Sequence, residues 1–320
     1  MLLGIEIGGT KLQLGVGSGQ GPPLAALVRL AVRPECGAEG IRRQIAEHAR
    51  PLVSKYAVRA VGIGFGGPVD SVRGRTIVSH QVAGWEDFPL AEWCRQTLGV
   101  PVLLANDSDS AGVAEACFGA GKGHRVVFYT NVGSGIGGAL VIDGRLYSGS
   151  AGVASEIGHL RPGPECQSAD QTVESRSSGW AISAAAVQAL GEQPGTPAAK
   201  DLLHRCAGQT ERLTTQIVAQ AARQGNPIAR AALDRASRTY GWAVAQVITL
   251  LAPSVVVLGG GVSLVGEDLW LEPVRRYVEQ YVFPPLRGTY RIELAQLGEE
   301  VVVHGVLTLT RQMMTEGAAP

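Results

Sequence analysis

Apolar residues open the chain in two short runs, LLGIEI and LQLGVG, separated by Gly8, Gly9, Thr10 and Lys11. Two such runs around a glycine-rich link predict a β-hairpin, because Gly accepts the positive φ that tight turns demand. RVVFYTNVGSGIGGALVIDG has the same form around Gly133, Ser134 and Gly135. The pair is a weak internal repeat and implies two similar lobes. Between the hairpins, Ile41, Ile45, Ala49, Leu52, Val53 and Tyr56 recur at helical spacing, followed by AVGIGFGG, an apolar run of the kind a strand buried on both faces shows. A helix near Leu90 to Leu98 comes next, then the strand VPVLLAND and an Ala-rich helix beginning around Asp109, with Asp or Ser able to cap its start.

The second half carries a long helical pattern from Pro227 to Leu251, the β-branched strand SVVVLGGG and a helix near Leu269 to Tyr281. From Glu299 to about Met314, apolar Val302, Val303, Val306, Leu307 and Leu309 predict a last helix that can pack back on the first lobe. Alternating helices and strands make this an α/β protein.

At 320 residues there is material for two domains. Lys plus Arg and Asp plus Glu both number 28, so no net field steers the chain to nucleic acid or an anionic membrane, and a small-molecule partner is favoured. Five scattered cysteines, Cys36, Cys94, Cys117, Cys166 and Cys206, form neither a disulfide framework nor a metal knuckle. With no secretory leader and no apolar run of membrane-spanning length, the expectation is a cytoplasmic protein with reduced thiols.

In open α/β sheets ligands bind beyond the carboxyl ends of strands, and the unusual segments here all fall at such ends. They are Gly8 to Lys11, Asn106-Asp107, Gly133 to Gly135 and Gly259 to Gly261. Glycine turns let backbone N–H groups converge on phosphate oxygens, and Thr10 or Ser134 adds a hydroxyl donor. Each turn alone is also what an ordinary hairpin needs. For Gly259 to Gly261 a strand-to-helix turn competes with a floor under the adenine or ribose. Asp107 either caps the next helix or does chemistry; Ser108 and Asp109 can cap as well, which leaves Asp107 available as a proton acceptor. Glu156 and His159 are three apart and, on a helical turn, share a face suited to sugar hydroxyls.

In order, GIEIGGTK, GIGFGGPVD, GWEDFPL, LLANDSDSAGVAEACFGAGKG, NVGSGIGGALVIDGRLYSGSAGVASEIGHL, VVVLGGGVS and LGEEVVVHG resemble the ROK family of sugar kinases and sugar-responsive repressors across nearly the whole chain. The resemblance implies an actin-like, ribonuclease H-like fold of two α/β lobes around a central ATP and sugar cleft. A small lobe would span residues 1–107 plus a C-terminal helix at about 299–316, and a large lobe residues 108–298. It further implies that Asp107 is the base for the 6-hydroxyl of a hexose, that Gly67, Asn106, Glu156, His159 and Glu174 contact the sugar, and that Gly8, Gly9, Thr10, Lys11, Gly133, Ser134 and Gly135 bind ATP phosphates with Mg²⁺. Family members are often dimers, and a homodimer is expected.

Three departures stand out. Glu6 replaces the Asp usual in the first phosphate motif, and its extra methylene alters any reach to the water shell of Mg²⁺. Gly67 occupies a position where several members differ. Many members place three cysteines after the motif His, whereas here LRPGPECQSADQTVESRSSG holds Cys166 alone, so zinc is expected to be absent, with His159 and Cys166 only remnants of such a site. Glucose is the first substrate to consider; N-acetylmannosamine, N-acetylglucosamine and fructose kinases share the pattern, and polyphosphate is an alternative donor. A repressor reading is disfavoured, because the phosphate motif begins at Gly8 with no preceding winged-helix domain and no basic patch. A non-catalytic sugar-binding protein is the reading that Glu6 and the missing thiols leave open.

Overall fold

The computed structural model describes residues 1–79, 81–150 and 152–316. The first part of the chain forms β1 (Leu2–Ile7), β2 (Lys11–Gly17), β3 (Ala26–Ala31), α1 (Gly37–Lys55), β4 (Val61–Phe65), β5 (Val69–Asp70), β6 (Arg75–Thr76), α2 (Leu90–Leu98), β7 (Val102–Asn106) and α3 (Asp107–Phe118). There follow β8 (Val126–Val132), β9 (Ile136–Ile142), β10 (Arg145–Tyr147), α4 (Glu174–Ser177), α5 (Gly179–Glu192), α6 (Pro197–Arg205) and α7 (Thr215–Arg223). The chain ends with α8 (Pro227–Leu251), β11 (Val255–Gly259), α9 (Glu272–Tyr281), β12 (Arg291–Leu294) and α10 (Val301–Glu316).

Two five-stranded sheets share one plan. Their orders are β3-β2-β1-β4-β7 and β10-β9-β8-β11-β12. In the first, β1 and β2, and β2 and β3, are antiparallel, whereas β4 lies parallel to both β1 and β7. In the second, β9 and β10 are antiparallel, and β11 is parallel to β8 and β12. The α/β architecture expected from the alternating helices and strands is therefore present, and the two sheets repeat one plan as the paired hairpins imply.

The chain divides into two compact units. Unit 1 comprises residues 1–124, 139–154 and those from Ala295 onward; unit 2 comprises residues 125–138 and 155–294. Unit 1 thus extends past the boundary expected after residue 107 and takes in α3. The physical reason is the pairing of α3 with α10: a Cβ on Gly305 would lie 1.8 Å from the carbonyl oxygen of Ser110, an approach that only glycine permits. On the sheet side of α10, a Cβ on Gly62 of β4 would meet the Val306 carbonyl oxygen at 2.6 Å. The opposite face of the sheet packs Leu3, Ile5, Leu12 and Leu14 with Ile41 and Ile45 of α1, Leu90 and Cys94 of α2, and Trp85. Trp85 meets Phe65 edge-on with centroids 5.4 Å apart.

In unit 2, β11 is buried along its whole length, as its run of β-branched residues predicts. The long helix α8 brings Tyr240 into this core, where it stacks on Trp270 at 5.5 Å and its hydroxyl donates to Thr130 Oγ1 at 3.1 Å. Thr214, Asn226 and Ser178 cap α7, α8 and α5 by accepting from backbone N–H groups two or three residues into each helix.

Candidate active site

The register of the first sheet sets the geometry of unit 1. Ile7 pairs with Phe65, and Phe65 with Asn106, so the parallel strands β1, β4 and β7 end level. Gly8, Gly66 and Asp107 emerge side by side as a result. The Gly66 N–H donates to the Ile7 carbonyl at 2.8 Å, and a Cβ on Gly66 would stand 3.4 Å from Asp107 Oδ2 and 3.6 Å from the Gly8 Cα. Glycine at 66 leaves the carboxylate uncovered on that side.

Asn106, not Ser108 or Asp109, is the N-cap of α3, which begins two residues earlier than expected. Asn106 Oδ1 accepts from the N–H groups of Ser108 at 2.8 Å and Asp109 at 3.4 Å, while Nδ2 donates to the Gly67 carbonyl at 3.0 Å. Asp107 is consequently the first helical residue and is free of the capping duty. Protein packed around its carboxylate raises its pKa by desolvation, against the lowering pull of the Ser108 N–H and hydroxyl and of Lys11. Gly67 is required where it stands, since a Cβ there would press on the Val78 carbonyl at 2.8 Å.

The β1–β2 turn closes with the Gly8 N–H donating to the Lys11 carbonyl at 2.9 Å. Thr10 is exposed at its tip, and Gly9 leaves room for the Gln81 side chain, whose amide would otherwise collide with a Cβ. Glu6 is buried beneath the turn. Its Oε1 lies 3.1 Å from Lys11 Nζ, and its Oε2 accepts from Gln13 Nε2 at 2.8 Å. Burial raises its pKa, and Lys11 and Gln13 oppose the rise. Both carboxylate oxygens of Glu6, the candidate for the water shell of Mg²⁺, are thus engaged within the hairpin, one by Lys11 and one by Gln13. Gln13, opposite Glu6 in the hairpin register, was not singled out from the sequence.

Unit 2 repeats the turn. The Gly133 N–H donates to the Gly135 carbonyl at 2.8 Å, and the Gly133 carbonyl accepts from the Gly179 N–H at 2.8 Å. Ser134 is exposed at the tip. Glu174, at the start of α4, braces the turn: its Oε2 accepts from the Ile136 N–H at 2.7 Å. A Cβ on Gly158 would fall 2.2 Å from the Ile136 carbonyl oxygen, so the SEIGHL segment docks directly against the start of β9. This brings Glu156 and His159 to exposed positions of a single 3₁₀ turn, Glu156 as its N-cap and His159 as its last residue. Desolvation and the nearby Glu174 raise the Glu156 pKa, and His159 lowers it. Glu156, His159 and Glu174 thus form one electrostatic group.

Gly259 pairs with Asn131, which sets Gly259 to Gly261 beside the second glycine turn. Gly260 has φ 84°, and a Cβ there would meet the Val132 carbonyl at 2.4 Å; a Cβ on Gly261 would have nothing within 4 Å. Asn131 Oδ1 is buried with no hydrogen-bond partner among the described residues. An open groove of about 550 Å³ between the end of β3 and the start of α1 contains none of the candidate residues.

The sequence matches the ROK family over residues 2–313. The chain belongs to that family. Its ROK relatives include a glucokinase of Thermotoga maritima, 31% identical over 97% of either chain. Among solved structures, a ROK family glucokinase from Streptomyces griseus in complex with glucose and AMPPNP superposes with a TM-score of 0.81, at 33% identity over 97% of this chain and 99% of that one. A ROK hexokinase from Thermus thermophilus gives a TM-score of 0.79 at 30% identity, covering 99% of both chains.

In the loop after His159, Cys166 is buried, accepts from Arg176 Nη2 at 3.1 Å and lies 3.8 Å from the Pro162 carbonyl. Among the described residues, no three His, Cys, Asp or Glu side chains gather as metal ligands do. Nor is any described helix long and apolar enough to cross a membrane.

Proposed function

We propose that this protein is an ATP-dependent hexose kinase that phosphorylates the 6-hydroxyl of glucose or a closely related hexose. The observation that carries the reading is the convergence of Asp107, Gly8 and Gly66 beyond three level strand ends, with Lys11 within electrostatic reach of the carboxylate. Likeness to glucokinases, one of them solved with glucose and AMPPNP, supports both substrates.

In this reading Asp107 accepts the 6-hydroxyl proton as that oxygen bonds to the γ-phosphorus and the bridging P–O bond to ADP breaks. Desolvation suits Asp107 to the task, because it brings the proton affinity of the base closer to neutral pH. The first glycine turn, Gly8 to Lys11, and the second, Gly133 to Gly135, hold phosphate oxygens. Gly259, Gly260 and Gly261 supply a surface without side chains for the nucleoside. Glu156, His159 and Glu174 take sugar hydroxyls, helped by the second Nδ2 hydrogen of Asn106 and the backbone at Gly67. Mg²⁺ would enter with the nucleotide, held by its phosphates and water; Glu6, committed to Lys11 and Gln13, fits poorly as a ligand.

The loop after His159 is proposed to stand without zinc, held by the Cys166 contacts to Arg176 and Pro162. A cytoplasmic location accords with five unpaired cysteines. A homodimer through unit 2 is supported by the exposed Leu250, Leu251 and Phe283, gathered where the Phe283 N–H donates to Thr249 Oγ1; light scattering of the purified protein tests it.

A coupled ADP-release assay with glucose, mannose, fructose, allose and the N-acetylhexosamines, repeated with polyphosphate as donor, tests the reaction. Turnover with glucose supports the reading. No turnover with any hexose, together with a sugar-dependent rise in Tm, would favour a sugar-binding protein without catalysis.

A further inference from the structure

Glu115 lies in α3 and is fully buried. A carboxylate in such a place is costly unless its oxygens are hydrogen-bonded. Its Oε2 accepts from the Ala120 N–H at 2.9 Å, and its Oε1 accepts from the N–H groups of Gln296 and Leu297, each at 2.8 Å. Its backbone carbonyl accepts from Gly119 at 3.1 Å and Gly121 at 3.0 Å. A second observation points to the same device. Gly119 has φ −105°, which any residue adopts, yet a Cβ there would fall 1.9 Å from Glu115 Oε2. The absent side chain is the space the carboxylate occupies.

The location gives these bonds their meaning. The chain leaves unit 1 after His124 and re-enters it for the last time at Ala295. Glu115 therefore ties the departing segment, 119–121, to the returning one, 296–297. Two residues further on, the Glu299 carbonyl accepts from Lys11 Nζ at 3.3 Å and Gln13 Nε2 at 2.8 Å. We infer that Glu115 is a positioning residue: it fixes the returning segment against the departing one and, through the Glu299 carbonyl, sets where Lys11 stands at the first glycine turn. The functional half of this inference rests on the assignment of Lys11 to the phosphates of ATP.

The carboxylate is specific to the role. A glutamine has one acceptor oxygen, so Glu115→Gln can serve either Ala120 or the Gln296 and Leu297 pair, and it turns an N–H against the other. Gly119→Ala perturbs the same joint while keeping Glu115. Both variants are to be compared with wild type for KM and kcat with ATP, for glucose affinity by calorimetry without nucleotide, and for amide exchange at Ala120, Gln296 and Leu297. In both, KM for ATP is expected to rise about 10- to 100-fold, the scale on which slight misplacement of a working group acts. Glucose affinity stays within about twofold, because Glu156, His159 and Glu174 belong to unit 2, and Asn106 and Asp107 sit at the opposite end of α3 from Glu115. Exchange should quicken at the three amides without quickening across β1 and β4.

A merely structural role predicts something else: losses in ATP and glucose binding that move together, follow Tm and disappear on cooling. That pattern, or an unchanged KM for ATP, overturns the inference. If neither variant folds, exchange in the wild type decides, since rapid exchange at Ala120, Gln296 and Leu297 would show that the bonds do not persist. Absence of hexose phosphorylation by wild type would defeat the kinase reading alone, and calorimetric ATP affinity would still report on Glu115.

Discussion

Asp107→Asn isolates proton acceptance from shape. Asparagine is isosteric and leaves the Ser108 N–H and hydroxyl a side-chain oxygen to address, so the α3 terminus and its Asn106 cap persist. What disappears is the acceptor beside Gly8 and Gly66. General-base catalysis is worth about 10²- to 10⁴-fold, or about 3–5 kcal/mol in barrier height, and kcat is expected to fall by that amount while glucose affinity changes little. The assay is ADP release at saturating glucose, with glucose binding followed separately by calorimetry. The same substitution makes a stability prediction of known sign. Burial raises the Asp107 pKa above its ordinary value of 3.8. The folded state therefore holds this proton more tightly than the unfolded chain, and the charged carboxylate costs stability above the folded pKa. The penalty fades as pH falls through that pKa. Asp107→Asn should accordingly melt higher than wild type at pH 7, and the advantage should shrink in acid. Wild-type kcat in the variant would remove Asp107 from the reaction, and a lower Tm at neutral pH would refute the account of its environment.

Glu6→Gln should raise KM for ATP, because Lys11 loses its anionic partner, yet leave the Mg²⁺ concentration for half-maximal activity within about twofold, as expected of a group outside the metal's coordination shell. A large shift in Mg²⁺ requirement would restore Glu6 as a metal residue. Gly305→Ala forces a methyl against the Ser110 carbonyl and should cost about 3 kcal/mol, the upper part of the usual overpacking range, read from the urea midpoint. An unchanged midpoint would mean α10 does not rest so closely on α3. Elemental analysis of dialysed protein should find no zinc, and Cys166→Ala should keep wild-type kcat; one tightly held zinc per chain would contradict both.

Much of the fold was legible because its punctuation is strong. Pro227 opens α8 after the Asn226 cap, and Gly99 in the left-handed region closes α2, so both helices fall where periodicity puts them. The stretch from Glu174 to Arg223 was not parsed. Its helices α4, α6 and α7 have nine residues or fewer, and Ala-rich α5 differs little between its faces; packing against α8 decides them. The edge strands β3, β10 and β12 lack a long apolar run and exist through their neighbours. In the site, Gln13 was reachable from the predicted hairpin, since pairing sets it opposite Glu6. Glu115 was not, because its partners Gln296 and Leu297 lie 181 and 182 residues away along the chain.

The internal repeat also explains why two copies of one plan are not chemically equal. Glu6 stands two residues before Gly8, and Asn131 two before Gly133, at corresponding places in β1 and β8. In the first copy a carboxylate is neutralised in place by Lys11; in the second an amide leaves a buried oxygen without a partner. The third parallel strand completes the contrast. β7 ends in Asn106, with Asp107 after it, whereas β12 ends in Leu294, with Ala295 after it. Proton acceptance is thus available at the strand ends of unit 1, and unit 2 offers hydrogen-bonding surface and glycine backbone without an equivalent base. A duplicated sheet supplies two sets of strand tips, and the identity of a few residues there makes them chemically unequal.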